Sequence, residues 1–340
     1  MAAELNQRRK TVLSALIEEY VRSVQPVGSK ALVDRYSLGC SPATVRAELA
    51  ALEETGHLYQ PHVSAGRIPT DSGYRAFVDD VAEGSALSAE EVDAIHGRYE
   101  RLERELTDVM RETSAVLSAL TNYVAIVAAP TLRLARIRRI SVVPLTMRRA
   151  LVVVVTDSGQ VANRSVDFTF DADTSVLADV ESYLNGMLDG MVGDDVLRLR
   201  EGVAEEGDLR ARATLGVLEE VIDCMVEADE ARVLTGGVSA LLAQPEFADP
   251  GTVRPLLGLL EDGISMLKVL SDVMSTGEVF VRIGHENRIG ALERVSFVAG
   301  RYGDGDSGGI VGVIGPTRMD YPRAVASVRT VADTLSDILG

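Results

Sequence analysis

The chain has little of what metalloenzymes, secreted scaffolds and membrane proteins are built with. Its 340 residues include two cysteines, Cys40 and Cys224, too few for a disulfide framework or a thiolate metal cage. The four histidines, His57, His62, His96 and His285, are scattered, and none forms a metal-ligand pair at helical spacing. No run of about 18 consecutive apolar residues occurs, so no membrane span is indicated. The opening Met-Ala-Ala-Glu-Leu-Asn-Gln-Arg-Arg-Lys lacks the apolar stretch of a secretory signal, and a cytoplasmic protein is expected. A phosphate-cradling lysine loop is also missing. Cys224, in Val-Ile-Asp-Cys-Met-Val, reads as a buried helical thiol and Cys40 as turn packing. The stretch from Gly303 to Gly309 resembles a calcium loop but lacks the terminal glutamate at the required spacing. Gly284-His285-Glu286-Asn287 reads as a capped loop at a strand end. Neither catalysis nor a cofactor is expected.

What is present is a chain that is 46% hydrophobic, enough for two or three packed domains. Its net charge of −17 argues at first against a nucleic-acid partner, but the charge is unevenly placed. Residues 1–80 hold 9 Lys/Arg against 10 Asp/Glu, whereas the remainder holds 25 against 41. The acidity belongs to the later domains. A near-neutral first domain that binds DNA must rely on a local basic patch rather than a general field.

That first domain carries the most informative pattern. Asn6 is a helix cap ahead of Val12, Leu13, Leu16, Ile17, Tyr20 and Val21 at helical spacing, and Gln25-Pro26-Val27-Gly28 stops the run. Ser29 is read as the cap of a short second helix from Lys30 to Tyr36. Ser41 caps a third, with Pro42 at its first position, where a missing N–H costs nothing, and Gly56 at its C-terminal stop. Val45, Leu49 and Leu52 fall on the face to be buried. Ala43, Arg46, Ala47 and Ala50 lie opposite, where small residues let a helix approach a groove closely and Arg46 supplies the long donor that favours guanine. Leu58 to His62 and Arg67 to Thr70 read as two short strands turned by Ser64-Ala65-Gly66, with His62 and Arg67 near phosphates or the minor groove. The candidate DNA-contacting set is Ser29, Lys30, Ser41, Pro42, Ala43, Thr44, Arg46, His62, Ser64 and Arg67.

Further along, Val92, Ile95, Tyr99, Leu102, Leu106, Val109, Thr113, Val116 and Leu120 step by threes and fours, a coiled-coil-like seam. The period is equally compatible with a seam between chains and with a helix packed on its own chain. Valine-rich strands are expected at Tyr123 to Ala128, Ile140 to Val143 and Leu151 to Val155, with Thr156-Asp157-Ser158-Gly159 as turn chemistry. Mainly helical, acidic sequence follows from Thr174 to Asp229. After a brief strand and more helix, strands return at Val279 to Ile283, Val295 to Ala299 and Ile310 to Ile314, before a closing helix from about Arg323 to Leu339. Strands, helices, then strands predict an α+β fold whose sheet domain is interrupted by a helical insertion.

Pro26-Val27-Gly28-Ser29-Lys30, the run from Ser41 to Arg46, the run from Gln60 to Thr70, and Gly73-Tyr74-Arg75 resemble the amino-terminal signature of the HrcA family of bacterial heat-inducible transcription repressors. Ile283 to Asn287 and Gly312 to Tyr321 resemble its later half. The resemblance implies a winged-helix domain at 1–80 and a long connecting helix at 81–121. It implies a GAF-like domain in two segments, 122–170 and 231–340, around an inserted, mainly helical dimerisation domain at 171–230. It further implies a homodimer that represses chaperone operons through an inverted-repeat, double-stranded DNA operator and is modulated by the GroE chaperonin, with no nucleotide or metal needed. Where the family often has Asn-Asp after the recognition-helix arginine, this chain has Ala47-Glu48. The alternative is a regulator with the same DNA reader and a small-molecule ligand in the GAF-like domain.

Overall fold

The computed structural model describes residues 5–81, 84–100, 106–130, 135–157, 160–199, 209–230, 233–262, 265–266, 269, 279–287, 290–303 and 308–339. The chain opens with α1 (Gln7–Ser23), α2 (Ser29–Arg35) and α3 (Pro42–Glu54), followed by a hairpin of β1 (Leu58–Tyr59) and β2 (Ile68–Pro69) and by α4 (Asp71–Val81). Val12, Leu13, Leu16 and Ile17 of α1 meet Leu32, Val45, Leu49 and Leu52 in one core. Asn6 and Ser41 cap α1 and α3, accepting from the backbone N–H groups of Arg9 and Thr44. Gly56, at φ +77°, follows the α3 terminus in the left-handed conformation that suits glycine. Ser29 departs from expectation: it is the first helical residue of α2, Gly28 holds the cap position, and the Ser29 side chain is buried.

The connecting segment is not one long helix. It is α5 (Ala89–Tyr99) and α6 (Leu106–Thr121). The Tyr99 hydroxyl donates to Thr113 Oγ1 at 2.8 Å, whereas residues 14 apart on a continuous helix would be about 21 Å apart. The two helices therefore fold back on each other, and Ile95, Tyr99, Val109 and Val116 join a core of their own chain. The seam is intramolecular at these positions. Leu102, also in the seam, lies outside the described residues.

Two antiparallel sheets follow. β3 (Val124–Ala128), β7 (Val233–Gly236), β8 (Val279–Ile283), β9 (Val295–Tyr302) and β10 (Gly309–Pro316) form a five-stranded sheet in the order β7-β3-β10-β9-β8. Both faces are covered. Ala125, Val127, Val298, Val311 and Val313 pack with α6 and the closing α12 (Tyr321–Leu339). Val124, Ile126, Phe297, Ile310 and Ile314 pack with Leu241 of α10 (Val238–Leu242), Phe247, and Leu256 and Leu260 of α11 (Pro250–Glu261).

β4 (Ile137–Thr146), β5 (Arg149–Thr156) and β6 (Val161–Asp167) make the second sheet, and α7 (Thr174–Leu188), α8 (Gly193–Arg198) and α9 (Leu209–Glu230) complete its unit. Ile140, Val152, Val154 and Val166 share a separate core with Leu177, Leu184, Val217 and Val221. This corrects the expected boundary at 170: these strands, assigned to the sheet domain by their apolar runs, belong with the helices that follow. The insertion is a mixed sheet-and-helix unit rather than a mainly helical one. The turn residues Ser158 and Gly159 lie outside the described residues.

Candidate nucleic-acid interface

The exposed side of α3 is built as its spacing predicts. Pro42, Ala43, Arg46 and Ala47 are exposed while Val45, Leu49 and Leu52 are buried. The Ser41 and Thr44 hydroxyls lie 3.0 Å apart at the start of the helix. No described residue pairs with the Arg46 guanidinium, so it is free to engage an external acceptor. Lys30, on α2, is exposed as well. Ser29 is buried and does not join this surface.

Glu48, one position beyond the small-residue face, turns the other way. Its carboxylate takes the Arg9 Nε at 3.1 Å and lies 3.9 Å from the Arg8 guanidinium. It ties α3 to α1 and pairs with basic groups beside the exposed small-residue face. Sequence spacing alone does not find this tie, because it spans two helices.

The hairpin presents His62, Val63 and Ser64 to solvent, and Val63 is 100% exposed. Gln60 braces the tip: its Nε2 donates to the Ala65 carbonyl at 2.7 Å and to the Val63 carbonyl at 3.2 Å. Arg67 is placed otherwise than expected. Its backbone N–H and carbonyl each pair with Val27 at 2.9 Å. That bridge turns the side chain onto α3, where it meets Glu53 at 3.0 Å with 16% exposure. Gly66 allows the approach, since a Cβ there would sit 2.4 Å from the Val27 backbone. Arg67 thus fastens the hairpin to the helix instead of projecting outward. His57 is also structural: buried behind the hairpin, it contacts the Thr55 hydroxyl at 2.9 Å, and desolvation holds its pKa below the usual imidazole value. Tyr59, 47% exposed on β1, is an additional surface group beside the tip.

Ser41, Pro42, Ala43, Thr44 and Arg46 thus lie together at the cap and exposed start of one helix, with His62 and Ser64 exposed on the hairpin that follows it. Known proteins resemble the whole chain. The HrcA protein C terminal domain profile matches residues 107–325. "Heat-inducible transcription repressor HrcA" of Parafrankia sp. is 41% identical, covering 99% of each chain. The repressors of the same name from Frankia casuarinae and Streptomyces avermitilis are 42% and 40% identical over at least 98% of each chain. A solved structure titled only as a hypothetical protein superposes with a TM-score of 0.63 at 24% identity, covering 99% of each chain, and supports the fold.

These relatives define a class of transcription repressors, not of enzymes. The chain belongs to the HrcA family, and heat-shock repression is the role its relatives are named for. No helix among the described residues is long and apolar enough to cross a membrane.

Proposed function

We propose that the chain is a homodimeric, operator-binding repressor in which residues 7–81 act as a winged helix. The observation that carries this reading is the unpaired Arg46 on the small-residue face of a Ser41-capped helix. Arg46 discriminates bases, Ser41 and Thr44 set register on the phosphates, and the braced hairpin tip with His62 and Ser64 follows the backbone into the neighbouring groove. Lys30 adds a phosphate contact at the flank.

Dimerisation is supported by the outer face of the three-stranded sheet. Leu151, Val153 and Val155 alternate with inward residues, and the register sets Val143 beside Leu151 and Val161 beside Val155. Val143 and Val161 are 46% and 51% exposed. Such an apolar face suits a second copy of the same sheet, with Ser141, Asn163 and Arg139 as a polar rim. Two linked readers then bind an inverted repeat with the effective concentration of an intramolecular event.

Chaperonin modulation by GroE is supported by the topology. Inner strand β3 pairs with central strand β10, with Ile126 opposite Gly312, so the sheet closes only after the inserted unit has been made. Folding that waits on non-local pairing exposes apolar strands and recruits chaperonin.

Footprinting and gel shift on chaperone promoters test the reading. The intact chain is expected to protect an inverted repeat, and Arg46→Ala to cost about 1–3 kcal/mol on that site while relaxing preference at one position. Equal losses on specific and random DNA would move Arg46 to a phosphate. Absence of a footprint on any such promoter would remove the operator reading.

A further inference from the structure

The DNA-reading unit continues into the rest of the molecule without a loose joint. One residue, Thr70, separates β2 from α4. Its hydroxyl donates to the Gly56 carbonyl at 2.6 Å and accepts from the Gly73 N–H at 3.2 Å. Gly73 lies so close to the hairpin entry that a Cβ would sit 2.1 Å from the His57 carbonyl oxygen. The end of α3, the hairpin and the start of α4 are one block.

From that block two side chains, one helical turn apart on α4, reach the loop that follows β8. Asp71 accepts from both the backbone N–H and the ring Nδ1 of His285, each at 2.8 Å. Arg75 donates through Nε to one Glu286 oxygen at 2.8 Å, through its terminal nitrogen to the other, and to the Val281 carbonyl at 2.7 Å. The loop is shaped to receive them. Gly284 has φ +49°, and a Cβ there would lie 2.3 Å from the Asp71 carboxylate. The buried Asn287 donates to the carbonyls of Gly284, Leu292 and Val295, and the Ile283 N–H donates to Glu286 at 2.9 Å. Beside these pairs the Tyr74 and Tyr321 rings meet with centroids 5.7 Å apart.

We propose that Asp71–His285 and Arg75–Glu286 are a positioning latch that fixes the angle of the DNA-reading unit on the five-stranded sheet. Through that angle the latch sets which half-site spacing a dimer accepts. The tyrosine contact adheres but has little directionality. The two-pronged arginine pair and the doubly accepting aspartate do have directionality, and together they resist both sliding and rotation. This rests on the operator-binding dimer proposed above. Half-sites face a two-fold dimer only at fixed helical separations, so a head that swivels loses the demand for one spacing.

Two measurements test the latch, one without DNA. Spin labels at Glu54→Cys and Arg254→Cys, with Cys40 and Cys224 replaced by alanine and labelled chains diluted into unlabelled ones, report the head-to-sheet distance. Asp71→Ala/Arg75→Gln should broaden that distribution at least about twofold, and Glu286→Gln should broaden it from the other side of the latch. In gel shifts, three base pairs inserted between half-sites should cost the wild type at least about tenfold and the double variant under about threefold, with single half-site affinity held within about twofold. Unchanged distance distributions in both variants would overturn the latch. A broadened distribution with the full spacing penalty retained would overturn its role in spacing. Should the wild type bind no inverted repeat, the operator reading fails, while the label distances still decide whether these residues hold the head.

Discussion

The two sheets of this molecule are made of similar residues and used in opposite ways. β10, Gly-Ile-Val-Gly-Val-Ile-Gly-Pro, is buried at every position. β5, Arg-Ala-Leu-Val-Val-Val-Val-Thr, is just as apolar in its middle, yet only its alternate residues Ala150, Val152, Val154 and Thr156 are buried. The five-stranded sheet has helices on both faces, so its apolar runs have no side left to offer. Among the described residues the three-stranded sheet has helices on one face only, and its leftover valines form the kind of surface a monomer rarely keeps for itself. On the proposed reading, assembly is assigned to the insertion, while the five-stranded sheet is the platform that shares a core with the first three helices and their hairpin.

The largest effect expected is on the platform. Ile314 is fully buried between β10 and the α11 side of the sheet. Ile314→Ala should cost about 2–5 kcal/mol, because a close-packed interior relaxes only partly around the cavity. Denaturant unfolding with the slope checked for a constant value measures this. A loss under about 1 kcal/mol would mean that the sheet is not close-packed around Ile314.

Edges come next. Outer strand β4 would offer bare backbone groups for pairing, but α7 closes part of it. Asn185 accepts from the Ile140 N–H at 2.8 Å and donates to the Ile140 carbonyl at 2.7 Å, and Glu181 accepts from the Val142 N–H at 2.8 Å. In the platform, Arg75 serves edge strand β8 in the same way at the Val281 carbonyl. Asn185→Ala should cost about 1–3 kcal/mol by leaving both Ile140 groups without a partner, and should raise the rate of aggregation on mild heating. Light scattering alongside a thermal melt reads both, and a melt unchanged from wild type would show that water replaces the amide at no cost.

The half-covered face should respond in the reverse manner. Val153→Asp places a charge on the outer side of β5, opposite Ser141 and Asn163. Monomer stability should change by under about 1 kcal/mol, as for most surface substitutions, while sedimentation shifts from dimer to monomer and operator affinity falls. A variant that remains a dimer would send the search for the interface elsewhere.

How much of this was legible in the sequence depends on the range of the signal. Local chemistry was readable: Ser41 with Pro42 begins α3, Gly56 follows its end, and Val279 to Ile283 is β8 as expected. Membership of a sheet was not. Leu151 to Val155 and Ile310 to Ile314 look alike as apolar runs, and only their partners distinguish a sheet covered twice from one covered once. The seam from Val92 to Leu120 keeps its period whether the helix continues or folds back, and the Tyr99–Thr113 contact decides it. Arg67 carries the right charge beside the hairpin turn, but its direction is set by a bridge to Val27 forty residues earlier in the chain. Arg75, His285 and Glu286 stood in motifs that resembled the family, and Asp71 lay between two of those motifs. Nothing local paired the two motifs.

The smallest effect expected is the pH response of that pairing. The hydrogen bond to Asp71, followed by its charge, raises the His285 pKa above the usual 6.5, against a weak opposing cost of burial, and Glu293 adds a further acidic influence. Because the folded value exceeds the unfolded one, protonated His285 strengthens the latch. This contribution is complete below about pH 6.5 and is lost as pH rises through the raised folded value. His285 is well exposed, with 79% of its side chain accessible, so solvent screens the pair and the change in global stability should be slight. The sensitive readout is the imidazole itself. An NMR titration should place the His285 midpoint above the ordinary imidazole value of 6.5. Asp71→Asn should bring the His285 midpoint down. If Asp71→Asn left the His285 midpoint unmoved, the aspartate would not be the imidazole's partner in solution. The latch would then reduce to Arg75–Glu286 and the Asp71 contact to the His285 backbone.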